Sequence, residues 1–395
     1  MFANMDDVRA RAARRLPRVF FEYIDGAAFS EETARRNISD FQRIELRQRV
    51  LRDVSERSLA GPLLGKERSM PLALGPVGFS GLFEADGEIA AARAAHANGL
   101  PYCLSTFGIT SLKRLREKTD GALWFQLYVL TDRELATEMI QAAIDADVEA
   151  LVLTVDTPVH GIREKDIRNG FRSLTGVTPK LAFALAQRPG WCARILRKGA
   201  VPRIGNLDSR PEMGRNALEQ AVSIASKVDA SMTWEDVDWI RERWPRKLII
   251  KGLTEAEDAK SCVAHGADGV VISNHGGRQL DQSRSTIDAL PDIVEAVGGS
   301  TEILIDGGFR RGSDVYKALA LGANGVLLGR AYAYGLAAAG EKGVDAVIAM
   351  IRTELDTQMA QTGLTQLREV ARHRDAVLRI RAGRGLCSGL VDTTG

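Results

Sequence analysis

Cysteine is scarce and scattered. The 395-residue chain has four, Cys103, Cys192, Cys262 and Cys387, and none stands in a Cys-x-x-Cys pair. That argues against a zinc ribbon or a redox dithiol, and no metal site is expected. Dispersed single cysteines suit a reducing, cytoplasmic setting. Net charge is only +2, and the basic residues are spread along the chain, which argues against a nucleic-acid partner. No run of ~18 apolar residues is present, so no spanning helix is expected. Residues 1–15 are charged throughout and do not read as a secretion signal. A Gly-x-Gly-x-x-Gly turn after an early strand is missing too, which removes the dinucleotide-binding fingerprint.

What is there has a regular rhythm. Residues 1–70 form a preamble, helical over 8–24 with a break at Pro17, ended at Gly26, and followed by turn-rich sequence over 41–70 that suits a small hairpin. From Pro71 onward, short apolar runs alternate with amphipathic ones. The pattern predicts strands at 72–77, 102–105, 124–129, 150–155, 247–252, 269–273, 302–306 and 325–329. Helices are predicted between them at 88–97, 111–118, 133–146, 234–244, 255–265, 287–297 and 314–321, with a last one over 343–359. Eight strands, each followed by a helix, fit a single (β/α)₈ TIM barrel better than an open sheet. The barrel is expected over 71–167 and 231–363 within one domain spanning 1–395. The connection after strand four is too long for a βα loop, so 168–230 reads as an insertion. It mixes Leu181, Phe183, Leu185, Trp191, Ile195 and Leu196 with Arg188, Arg194, Arg197, Lys198 and Arg203. Such a segment can lie on an anionic membrane surface, or pack on the barrel or another subunit with its basic face in water.

A barrel of this kind has its active site at the C-terminal strand ends. There the sequence turns polar. Strand one ends in Pro76, Val77 and Gly78, strand two in Ser105, strand three in Gln126 and Tyr128, and strand four in Thr154 and Asp156, with Arg163 beyond. Strand five carries Lys251, and strand six runs into Ser273, Asn274, His275, two glycines and Arg278. Strands seven and eight end in Asp306-Gly307-Gly308-Phe309-Arg310 and Gly329-Arg330. Each residue alone has a bland role as a cap, a turn former or a snorkelling cation. Barrel walls, however, prefer Val, Ile and Leu, so polar groups at one end of every strand point to a site. Glycine-rich backbone with arginines after strands seven and eight is a phosphate cradle. Ser105, Gln126 and Thr154 offer hydrogen bonds to a flat heterocycle, and Lys251 offers a fixed charge for a ring that becomes anionic on reduction. Together these describe flavin mononucleotide, FMN.

The motifs SNHGGRQLD (273–281), WFQLYV (124–129), LTVD (153–156), IKG (250–252) and DGGFRRGSD (306–314) resemble those of the FMN-dependent L-2-hydroxy acid oxidases and dehydrogenases. The resemblance covers residues 6–375. GPVG at 75–78 and RGSDVYKALALGA at 311–323 are most similar to the bacterial lactate and mandelate dehydrogenase branch. It implies His275 as the base, Asp156 as its partner, and Tyr128 at the substrate hydroxyl or the developing negative charge. Arg278 and Tyr23 would hold the substrate carboxylate, with Arg163 as a second arginine. Lys251 would stand at the flavin N1–O2 edge. Pro76, Val77, Gly78, Ser105, Gln126, Thr154 and Ser273 would touch the flavin, and Asp306, Gly307, Gly308, Arg310, Gly329 and Arg330 would hold the ribityl phosphate. The resemblance implies oxidation of an L-2-hydroxy acid, lactate first and an aryl acid such as mandelate second, with electrons passed to a quinone or another carrier. Gly78, where glycolate oxidases carry alanine, suggests poor oxygen reactivity. The alternatives are an oxygen-using oxidase, a Schiff-base lyase built on Lys251, and a non-catalytic, membrane-attached flavin-binding protein. A homo-oligomer, tetrameric in the family, and peripheral contact with the inner face of the membrane through 168–230 are further expectations.

Overall fold

The computed structural model describes residues 2–171, 179–197, 202–208 and 210–381. Lys198 and Cys387, singled out above, lie outside them. The strands Leu72–Leu74, Tyr102–Ser105, Leu123–Leu127, Ala150–Thr154, Lys247–Leu253, Gly269–Ile272, Glu302–Ile305 and Gly325–Leu328 close into one parallel barrel in chain order. Most of their residues are apolar and buried, as a sheet covered on both faces requires. The inside is filled by Ala73, Cys103, Trp124, Ala150, Val152, Ile249, Val271, Leu304 and Leu327. Leu63 and Leu64 join that cluster from the expected hairpin, Gly61–Leu63 with Lys66–Arg68, which stops the N-terminal end. A second core lies between the strands and the surrounding helices.

The preamble begins with two helices, Met5–Arg15 and Arg18–Asp25, separated at Pro17, whose φ of −55° can open a helix but whose missing N–H cannot continue one. Helix Glu32–Ser39 then lies across the barrel mouth, and strand Ile44–Leu46 pairs with Leu378–Ile380 from the far end of the chain. The helix after the eighth strand lies outside the predicted rhythm. Arg330–Ala339 is apolar on every side and buried along most of its length, so it shows no 3.6-residue alternation to read. Between the fourth and fifth strands run helices Glu164–Asn169, Pro179–Ala186, Pro189–Leu196 and Ala217–Ala225, then Trp234–Arg243. Part of this stretch is packed: Trp191 stacks on Phe20 at 5.1 Å and donates its indole N–H to Leu82 O at 2.9 Å. Phe183 and Leu196 face outward. Among the described residues no helix is long and apolar enough to cross a membrane.

Strand register sets up the site. Ser105 pairs with Gln126, and Thr154 with Lys251, so polar groups line up at one rim. The fifth strand bulges between Lys251 and Leu253, with Gly252 at φ +121°. A Cβ on Gly252 would stand 2.7 Å from Asp156 Cβ, so glycine leaves the space that Asp156 occupies.

Candidate active site

A cavity of about 390 Å³ opens at the C-terminal ends of the strands. Pro76, Val77, Gly78, Ser105, Gln126, Tyr128, Thr154 and Lys251 face it from the first five strands. His275, Arg278, Asp306, Gly307, Gly308, Arg310, Gly329 and Arg330 face it from the last three, with Tyr23 and Arg163 at its rim. Asp156 and Ser273 stand one layer behind.

His275 is the centre. Its Nδ1 lies 3.0 Å from Asp156 Oδ1, and its Nε2 lies 3.4 Å from Tyr128 Oη. A carboxylate at Nδ1 keeps the proton there, which leaves the Nε2 lone pair facing the cavity. Burial lowers the imidazole pKa, and Asp156 opposes that shift without cancelling it. Burial would raise the Asp156 carboxyl, but His275 and then Lys251 hold it below the usual carboxylate range. The pair is therefore a neutral base beside an ionised carboxylate. His275 sits at φ +55°, a strained region for a side-chain-bearing residue and typical of functional sites. Burial pushes the Tyr128 hydroxyl well above its ordinary pKa, so it stays a proton donor.

Arg278 lies over the ring of Tyr23, 4.9 Å from its centroid, and donates Nη1 to the carbonyls of Tyr23 and Gly26 at 2.7 Å each. Arg163 is buried, with Nη1 3.9 Å from Asp166 Oδ2. Two guanidinium groups and a tyrosine thus border the space in front of His275, an arrangement that suits a carboxylate.

Lys251 is fully enclosed. Its Nζ is 3.0 Å from Asp306 Oδ2 and donates to Ser273 Oγ at 2.8 Å. Burial alone would lower its pKa, but Asp306 and Asp156 raise it, so it stays charged. A charged lysine is no nucleophile, which counts against the Schiff-base reading. One expectation changes here. Ser273 has no cavity wall of its own, because its oxygen accepts from Lys251 and from the His275 N–H. Asp306 pairs with Lys251 through Oδ2 and still faces the cavity.

The residues fit FMN. Gln126 Nε2, Thr154 Oγ1 and Asp306 Oδ1 are buried polar atoms without a protein partner, and all three residues face the cavity. Such groups need a polar ligand. Gly329 opens helix Arg330–Ala339, and a Cβ there would meet nothing within 4 Å. That helix N-terminus, the Gly307-Gly308 turn and Arg310 suit the phosphate end. Arg330 is committed differently: it donates to the carbonyls of Ile24, Gly276 and Gly26, and burial pulls its pKa down to about 10.

Further wall residues were not singled out by the sequence. Phe171, Leu218, Ala221 and Val222 come from the insertion. Positions 218, 221 and 222 carry the i, i+3, i+4 spacing of an apolar helix stripe, a signal that finds the helix but not what it faces.

Comparison with known proteins agrees with this geometry. The model of the family described as FMN-dependent dehydrogenase matches residues 12–376. An L-lactate dehydrogenase of Caulobacter sp. (strain K31) is 45% identical over 374 residues, covering 94% of this chain and 98% of the relative. An L-lactate dehydrogenase of Pseudomonas syringae pv. syringae (strain B728a) is 42% identical over 383 residues, covering 97% and 99%. The solved structure of the monotopic membrane protein (S)-mandelate dehydrogenase superposes with a TM-score of 0.90 at 40% identity, covering 96% of this chain and 99% of that one. This chain, an eight-stranded parallel barrel with its polar cavity at the strand ends, belongs to the FMN-dependent dehydrogenase family.

Proposed function

We propose that this protein oxidises an L-2-hydroxy acid to the 2-oxo acid. The observation that carries the reading is the convergence of His275, backed by Asp156, with Arg278, Tyr23 and Lys251 on one cavity. Arg278 and Tyr23, with Arg163, hold the substrate carboxylate. His275 Nε2 takes the proton released from the substrate, and Asp156 stabilises the imidazolium that forms. Tyr128 donates to the substrate oxygen. When bound, FMN supplies the two-electron acceptor, and Lys251 offers a fixed positive charge to its reduced form.

Lactate is the first substrate, in keeping with the relatives named L-lactate dehydrogenase. Phe79, Phe107 and Phe171 around the cavity favour an aryl acid as the second. Electrons pass to a quinone or another carrier in preference to oxygen. Residues 168–230 act as an insertion that rests on the inner face of the membrane of a cytoplasmic tetramer. Exposed Phe183 and Leu196 among Arg188, Arg194 and Arg197 support that contact, as does the monotopic relative. The test is an anaerobic panel of L- and D-2-hydroxy acids added to the purified holoprotein. Bleaching of the flavin by L-acids alone is expected. A yellow protein that no member of the panel bleaches would reject the reading and favour a non-catalytic flavin binder.

A further inference from the structure

The loop that carries His275 is held from outside the barrel. Asn37, on helix Glu32–Ser39, is 1% exposed and forms a reciprocal amide pair with Asn274. Asn37 Nδ2 donates to Asn274 Oδ1 at 2.8 Å, and Asn274 Nδ2 donates to Asn37 Oδ1 at 2.9 Å. Asn274 directly precedes the base. Its Oδ1 also accepts the Gly277 N–H at 3.0 Å, so the amide spans the turn in which His275 sits. Asn37 reaches the opposite loop as well. Its Oδ1 accepts the Thr286 N–H at 3.3 Å, and Thr286 Oγ1 donates to Asp306 O at 2.6 Å. Its carbonyl lies against Gly308, where φ is +86° and a Cβ would come within 1.8 Å of Asn37 O. One residue of the preamble therefore touches both the base loop and the glycine turn of the phosphate edge.

Two physical facts give this contact a function. A strained φ at His275 persists only where the surroundings over-determine it. Buried amides that lose a partner keep their full desolvation cost, so the pair holds firmly. Arg278, by contrast, is anchored separately on the carbonyls of Tyr23 and Gly26. The geometry points to Asn37 as a positioning residue that sets the angle of His275 through Asn274, an inference that rests on His275 being the base. Loss of the pair tilts the base and leaves the carboxylate clamp in place, so it slows proton transfer without loosening substrate.

Asn37→Ala and Asn37→Asp of the full-length holoprotein test this. The aspartate keeps the acceptor for Asn274 and Thr286 but replaces the donor with a buried carboxylate oxygen facing Asn274 Oδ1, so it breaks the pair while filling the space that alanine would leave empty. Three quantities are read: the limiting rate of anaerobic flavin reduction, the substrate concentration giving half that rate, and FMN content. Hydrogen exchange of apoprotein peptides covering 273–285 is a fourth, independent of the cofactor. The limiting rate should fall on the order of 10²-fold in the alanine variant, as for a small misplacement of a reacting group. The half-saturating concentration and FMN content should change little. Exchange should quicken over 273–278 and not in the barrel strands. Wild-type limiting rates in both variants, or loss of FMN from both, would overturn the inference. Wild-type protein that no 2-hydroxy acid bleaches would remove the base reading and this inference with it, whereas wild-type bleaching beside unaltered variants overturns this inference alone.

Discussion

Asp156→Asn isolates the charge behind the base. The change keeps the shape and a hydrogen-bonding group at the 3.0 Å contact with His275 Nδ1, and it removes one unit of negative charge. Two unit charges about 4 Å apart at an effective dielectric near 20 attract by about 4 kcal/mol. The amide oxygen keeps part of that as a hydrogen bond to Nδ1–H. A loss of about 3 kcal/mol from the imidazolium-forming transition state is then expected, which is roughly 10² in rate. The assay is anaerobic stopped-flow reduction of the flavin at saturating substrate across pH. The base acts as the neutral imidazole, whose pKa burial already lowers. In the parent protein the rate should therefore rise with pH through a value below the ordinary imidazole one and then level off. Without the carboxylate, nothing offsets burial and the neighbouring Lys251, so the acid limb of the variant moves to still lower pH while its plateau drops. Because Asp156 does not line the cavity, substrate affinity should hold. A plateau close to the parent's, or an acid limb displaced upward, would refute this account of the pair.

Three further perturbations separate the remaining parts. Lys251→Met leaves Asp306, a partly buried carboxylate, without its cation, so it should destabilise the fold by about 2–3 kcal/mol in denaturant titration and weaken FMN retention. Gly78→Ala places a Cβ 3.0 Å from Phe107 Cβ and 3.4 Å from Tyr23 Oη. Phe107 must give way at a cost of about 1–3 kcal/mol, read as a raised half-saturating substrate concentration with FMN content unchanged. Phe183→Ser with Leu196→Ser removes the outward apolar side chains of the insertion. It should lower co-sedimentation with anionic vesicles and leave flavin reduction by substrate intact; undiminished co-sedimentation would count against a membrane contact through these residues.

Much of this molecule could be read in its sequence because a parallel barrel converts strand ends into neighbours. Gln126, Thr154, Lys251 and His275 are far apart in sequence, yet each ends a short apolar run, and barrel closure brings them to one rim. The eight-stranded closure was legible for the same reason. Features set by tertiary context were not. Arg330 and Asp306 face the cavity as their residue types suggest, but residue type does not disclose that one also binds three backbone carbonyls and the other also pairs with Lys251. Helix Arg330–Ala339 lacks periodicity because most of it is buried. Leu218, Ala221 and Val222 reach the cavity through an insertion whose path no strand pattern dictates. Asn37 lies in the preamble, some 240 positions from its partner, and nothing local marks it.

The role proposed for His275 is removal of the substrate proton. Its most direct test is anaerobic mixing of an L-2-hydroxy acid with the parent holoprotein and with His275→Gln, while flavin absorbance is followed. Bleaching of the parent by the L-acid, beside a variant that keeps its FMN yet stays yellow, is the predicted result. Rapid bleaching of the His275→Gln protein would contradict it.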